Sequence, residues 1–98
     1  MTNPNSQLII ENTDTWRLTG ELSFNTVSAL LVEVTRQTTP PQVLNLQEVI
    51  HTDSAGLALL IELRKRFNTL IIQNVPSQML TLAKVSGVEN LLQNDHRY

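Results

Sequence analysis

The sequence contains no cysteine. That absence removes disulfides, thiolate nucleophiles and zinc–thiolate centres together, and it fits a reducing compartment. Histidine is scarce, two in 98 residues, which leaves little material for a histidine metal site. Basic residues are too few for a nucleic-acid field. Seven Lys and Arg stand against nine Asp and Glu, a formal net charge of −2, whereas sequence-independent binding to phosphates needs a basic surface. Long apolar runs are missing as well. The longest nearly apolar stretch, Leu57 to Leu63, includes Glu62, and a spanning helix needs about 20 such residues, so no direct membrane insertion is expected. Met1-Thr2-Asn3-Pro4-Asn5-Ser6 has no basic residue and leads into no long apolar run. It does not read as a secretory signal, and the cytoplasm is the expected location. No repeat, low-complexity tract or interdomain linker breaks the chain. What is present is 41% apolar side chains, enough for one modest core in one domain.

Periodicity gives the order of elements. Residues 1–6 read as a disordered lead-in. Leu8-Ile9-Ile10 reads as a strand, Asn12-Thr13-Asp14 as a turn, and Trp16, Leu18 and Gly20 alternate with Arg17 and Thr19 as a second strand paired in a hairpin. Glu21-Leu22-Ser23 is a connection. Val27, Leu30, Leu31 and Val34 recur at i, i+3, i+4 and i+7, one face of a helix. Ser23 or Asn25 is a candidate cap for it, and Thr38-Thr39-Pro40-Pro41 ends it. Val43-Leu44-Asn45-Leu46 is a short apolar strand. Thr52-Asp53-Ser54 offers oxygen caps for a second helix running to about Phe67. Leu70–Gln73 is a further strand. Asn74-Val75-Pro76-Ser77 opens a third helix, and Gly87 suits its C′ position. Residues 94–98 read as a loose tail. The order β-β-α-β-α-β-α predicts an α/β domain with a mixed, mostly parallel sheet and three helices, over residues 7–93.

The stretch Asp53-Ser54-Ala55-Gly56-Leu57 lies where a central strand passes into a helix. Such a junction presents free backbone N–H groups and the positive end of the helix dipole. Two readings compete there. In one, Asp53 or a neighbour is an ordinary cap and Gly56 merely packs. In the other, Gly56 admits a second backbone or a phosphate. Projected at 100° per residue, Leu57, Leu60, Ile61, Leu63 and Phe67 form one broad apolar arc facing the sheet. Ala55, Ala58, Leu59, Glu62 and Arg66 fall on the opposite side. The first half of that outer face is small and apolar, which permits close approach by another surface. Arg64, near the apolar arc, is expected to snorkel outward. Arg64-Lys65-Arg66 reads as a solvated helix end that complements the dipole. Trp16 is expected in the core. His51, Asp53 and Ser54 are neighbours in sequence, but adjacency does not supply triad geometry. No phosphate-binding G-x-x-x-x-G-K-[ST] loop occurs. No acid/base pair is evident, so no enzyme activity, cofactor or metal is expected.

Gly20-Glu21-Leu22, Leu44-Asn45-Leu46 and Asp53-Ser54-Ala55-Gly56-Leu57 together resemble the STAS domain, the fold shared by anti-sigma factor antagonists and the cytoplasmic tails of sulfate transporters. The last of these matches that family's D-[ST]-x-G-L signature. Within the family, Gly56-Leu57-Ala58-Leu59-Leu60 and Thr81-Leu82-Ala83-Lys84 look most like the small STAS subunit of the Mla phospholipid-transport ABC complex, which maintains lipid asymmetry of the Gram-negative outer membrane. The resemblance implies a non-catalytic accessory subunit. It would bind the cytoplasmic ATPase subunit, with the permease in the assembled complex, and lie peripheral to the inner membrane through that partner. The implied contact is the start of the second helix: Asp53, Ser54, Ala55, Gly56, Ala58 and Leu59, with Glu62 and Arg66 at the rim. The alternative is an anti-sigma factor antagonist that binds a serine kinase. In phosphorylated members of that class the acceptor resembles the second residue of D-S-S-G-L, and here that residue is Ala55, without a hydroxyl. Ser54 is the remaining candidate for phosphorylation. A phosphate there would add about −1.5 to −2 charges at a helix start, favourable to the helix and disruptive against an apolar partner.

Overall fold

The computed structural model describes residues 6–92. Strands β1 (Gln7–Ile10), β2 (Thr15–Leu22), β3 (Val43–Thr52) and β4 (Ile71–Gln73) alternate with helices α1 (Val27–Thr35), α2 (Ser54–Arg66) and α3 (Ser77–Val85), and a 3₁₀ turn at Glu89–Leu92 follows. The four strands lie in the order β1-β2-β3-β4, with β1 antiparallel to β2 and the rest parallel. This is the mixed sheet and the β-β-α-β-α-β-α order predicted from periodicity. The two crossovers step in the same direction across the sheet, so right-handed connections carry α1 and α2 to one face. The alternation along β2 records that arrangement. Trp16, Leu18, Gly20 and Leu22 are buried, while Thr15, Arg17, Thr19 and Glu21 are half-buried on the other face. There Arg17 bridges Glu11 at 3.3 Å and Glu48 at 2.8 Å.

The core lies between the sheet and α2. Leu44, Leu46, Leu57, Leu60, Leu63, Leu70 and Ile72 pack with Met79 and Ala83 of α3. Ala83 belongs to the Thr81–Lys84 motif, and its burial makes that motif a packing element. Trp16 is buried as expected and meets Phe67 edge-on, with ring centroids 5.7 Å apart. Nine-residue helices such as α1 and α3 are marginal alone, so their stability comes from this packing. Among the described residues, no helix is long and apolar enough to cross a membrane.

Several local features differ from the sequence reading. β3 runs ten residues, to Thr52, and does not stop at Leu46. Its pairing with β2 slips twice. Arg17 faces Asn45 but Thr19 faces Glu48, and Gly20 faces Val49 but Glu21 faces His51. Each slip inserts one extra residue into β3, and such bulges break the period-2 pattern by which a strand is read. β2 continues through Glu21 and Leu22, which the sequence reading assigned to a connection. Neither Ser23 nor Asn25 is the N-cap of α1; Thr26 occupies that position, and its hydroxyl accepts from the Ser23 N–H. Ser6, placed in the lead-in, is anchored to β2, where its hydroxyl donates to the Glu21 carbonyl at 2.8 Å. Residues 1–5 of the lead-in and the tail at 94–98 lie outside the described residues. Arg64 does not simply snorkel. Its guanidinium donates to the Leu91 and Leu70 carbonyls and fastens the 3₁₀ turn and the entry to β4 onto α2. Gly87 does end α3. With φ at +74°, it donates to the Lys84 carbonyl while Val88 donates to that of Ala83, a Schellman closure.

Candidate interaction surface at the start of the second helix

β3 delivers Asp53 to the end of the sheet as the N-cap of α2. Its extended backbone lets one carboxylate oxygen accept from the Ala55 N–H at 2.8 Å and from the Gly56 N–H at 3.3 Å. The other oxygen accepts from the Phe24 N–H at 3.1 Å, in the loop between β2 and α1. Partial burial opposes ionisation of this carboxyl. The three backbone donors outweigh that effect, helped by nearby His51, and hold it below the usual carboxylate range. Asp53 is therefore committed to holding two loops together, which is the ordinary cap reading extended across the sheet.

Gly56 is buried and faces inward. A β-carbon there would lie 2.2 Å from the Thr52 hydroxyl oxygen and 2.4 Å from the Leu22 carbonyl oxygen. The glycine admits this chain's own β2 and β3 ends to the helix, and its burial takes it off the exposed part of the implied contact. Leu59 is corrected too. It is only 4% exposed, because α1 packs beside α2 on the side that the isolated helical projection left to solvent.

What remains outward is Ser54 and Ala58, both exposed, and the half-buried Ala55. Ala55, Ala58, Leu59 and Glu62 line a shallow groove of about 270 Å³, closed on its far side by Val27, Ser28 and Leu31 of α1. Glu62 accepts from Arg66 at 3.0 Å along the outer edge. The structure thus gathers Ser54, Ala55, Ala58, Glu62 and Arg66 along one edge, with Leu59 as floor. Among the described residues, no base is hydrogen-bonded to the Ser54 hydroxyl: His51 pairs with Glu21 in the β2–β3 ladder, and the Asp53 carboxylate accepts from backbone N–H groups.

Three further features escape a reading of α2 alone. The first is the α1 wall. The second is Phe24, 81% exposed at the loop tip; it lies three residues before Val27 and by spacing continues the apolar face of α1, so the sequence gives no sign of its exposure. The third is Ile50, 74% exposed, which is the extra residue of the second bulge.

A family model described as "Mlab, STAS domain" matches residues 9–93. None of the curated proteins compared with the chain matches it significantly. Among solved structures, the anti-sigma factor antagonist SpoIIAA in its unphosphorylated form superposes with a TM-score of 0.64 at 19% identity, over 88% of this chain and 84% of that one. That likeness concerns the fold. The mixed sheet with its three helices is thus a STAS fold, and the chain belongs to the Mlab, STAS domain family.

Proposed function

We propose that this chain is a non-catalytic accessory subunit of a phospholipid-transport ABC transporter of the Mla type. It docks on the cytoplasmic ATPase subunit through the start of α2 and the groove beside it, supports that subunit's assembly or turnover, and meets the inner membrane only through its partner. The observation that carries this reading is the match of residues 9–93 to the Mlab family. The geometry supports it: an exposed Ser54 and two alanines stand on a helix held rigid by its own core, and a rigid platform loses little ordering entropy on binding.

Co-purification tests the proposal. The tagged chain, co-expressed with the ATPase and permease, is expected to retain both. Ala55→Arg and Ala58→Arg are expected to release them while the variants stay folded. A complex that survives both substitutions places the docking surface elsewhere.

The likeness to SpoIIAA favours a second reading, an anti-sigma factor antagonist that binds a serine kinase. Ala55 lacks the hydroxyl at the position expected for the acceptor. A mass increase of one phosphate on the intact chain after incubation with a cognate serine kinase, abolished in Ser54→Ala, would favour this second reading.

A further inference from the structure

Phe24 is a large apolar side chain left 81% exposed, on a turn that is anything but loose. Its own N–H is held by Asp53 at 3.1 Å. On either side of it, the Ser23 N–H donates to the Thr26 hydroxyl at 2.9 Å, the Asn25 N–H to the Ser23 hydroxyl at 3.3 Å, and the Thr26 hydroxyl to the Glu21 carbonyl at 2.8 Å. The backbone that carries the ring is therefore fixed before any encounter. The same Asp53 carboxylate that holds Phe24 also holds Ala55 of the apolar groove, and α1, whose Val27 forms the groove's far wall, begins three residues after Phe24. A protruding ring and a concave apolar strip are thus locked to one another.

Charge limits what can cover them. Residues 18–35 and 37–63, which supply the loop, α1, β3 and most of α2, contain no Lys or Arg; of their acids, Glu33, Glu48 and Glu62 pair with Arg36, Arg17 and Arg66, which leaves Glu21 and Asp53 at the end that carries Phe24. Arg64, Lys65 and Arg66 lie at the opposite end of α2. The end that carries Phe24 offers no cation to an anionic lipid surface or a nucleotide, and its two carboxylates favour a protein surface rimmed with Lys or Arg.

Resting on the proposed docking function, we infer that Phe24 is the anchor of that interface and enters an apolar pocket with a basic rim on the ATPase subunit, beside the ridge that fills the α1–α2 groove. An exposed aromatic on a preorganised turn has the character of a residue whose truncation removes a large share of binding. Asp53 is a positioning residue for it.

The test is calorimetric titration of the purified chain with the purified Mla-type ATPase subunit of the same organism. Phe24→Ser is expected to raise Kd by about 30-fold or more with Tm unchanged. Phe24→Leu is expected to recover most of the affinity, and Val85→Ser, at an equally exposed valine on α3, is expected to change nothing. If Phe24→Ser binds within threefold of the parent while Ala58→Arg abolishes binding, the anchor is wrong and the docking function stands. If the unaltered chain does not bind the ATPase subunit, or if neither substitution matters, both fail. Phe24-dependent binding to phosphatidylglycerol vesicles in place of the ATPase would overturn the choice of a protein occupant.

Discussion

Asp53 and Phe24 are 29 residues apart in the chain, yet the carboxylate of one accepts the backbone N–H of the other at 3.1 Å. The bond spans the ends of two neighbouring strands, since Leu22 faces Thr52 in the β2–β3 ladder. One side chain therefore caps α2 and fixes the loop that leads into α1.

Replacing Asp53 separates these two roles. Asp53→Ala removes the cap and leaves the Phe24 N–H without its acceptor, and a loss of about 2 kcal/mol in chemical denaturation is expected. Asparagine caps helices about as well as aspartate but has one acceptor oxygen, so Asp53→Asn keeps the cap, leaves the Phe24 N–H without its acceptor and should lose about 1 kcal/mol. Equal losses in the two variants would show that the bond to the Phe24 N–H, and not the helix cap, carries the stability.

The lowered pKa of Asp53 sets a direction for pH. Its backbone donors favour the ionised form in the folded chain, so the folded state holds its proton less readily than the unfolded state. The resulting stability is full above the unfolded carboxylate range and is lost as pH falls through the lower folded value. The denaturation midpoint should therefore decline on acidification below about pH 4. The decline should be shallower in Asp53→Asn, and parallel curves for the two proteins would contradict this assignment.

Gly56 is required by packing within the chain. In Gly56→Ala the new methyl group would meet the Thr52 hydroxyl oxygen at 2.2 Å, the Leu22 carbonyl oxygen at 2.4 Å and the Leu22 β-carbon at 2.9 Å. Two of these neighbours are backbone or next to it, so the helix must move. Overpacking outweighs the better helix propensity of alanine, and a net destabilisation of about 2 kcal/mol is expected. A lower stability with unchanged partner affinity per folded molecule would mark the residue as structural.

Leu59 and Ala58 are adjacent in sequence and should behave oppositely. Leu59→Glu buries a carboxylate in the floor of the groove without a partner, and unfolding or a loss of about 3 kcal/mol or more is expected. Ala58→Arg places a charge on an exposed position and should leave Tm within about 2 °C while blocking docking. Circular dichroism melts of the two variants distinguish these outcomes.

Arg64 fastens the C-terminal turn. Arg64→Met leaves the Leu70 and Leu91 carbonyls without that donor, and a loss of about 2 kcal/mol is expected. Hydrogen exchange should rise first at residues 89–92 and at the entry to β4. Uniform acceleration across the whole chain would argue against a local clasp.

The order of elements was legible because each depends on local periodicity and punctuation. Leu30 and Val34 are spaced for one helical face, Pro40 and Pro41 stop a helix, and Gly87 accepts the positive φ that closes α3. A cap among Thr52, Asp53 and Ser54 was legible for the same reason, and the structure selects Asp53, whose two bonds to Ala55 and Gly56 reach only two and three residues ahead. The full length of β3 was not. Its two bulges shift the pattern of alternation, so Gln47-Glu48 looks like the end of a strand that continues to Thr52.

The surface of α2 was only half legible. A helical projection assumes that a helix has one neighbour. α2 touches β2, β3, α1, α3 and the 3₁₀ turn, so Leu59 is covered by α1 from a direction that α2's own sequence does not encode. The projection still identified Ala55 and Ala58 correctly as the gap in that cover.

The sequence alone thus determined the α/β order, the family resemblance and the capped helix start, because each is written in residues within a few positions of one another. Only the tertiary structure decided which of those residues face outward. It turned Gly56 and Leu59 into the molecule's own packing and set exposed Phe24 beside Asp53. Such juxtapositions depend on parallel strands that bring residues about 30 positions apart to the same end of the sheet, a distance over which no local pattern carries information.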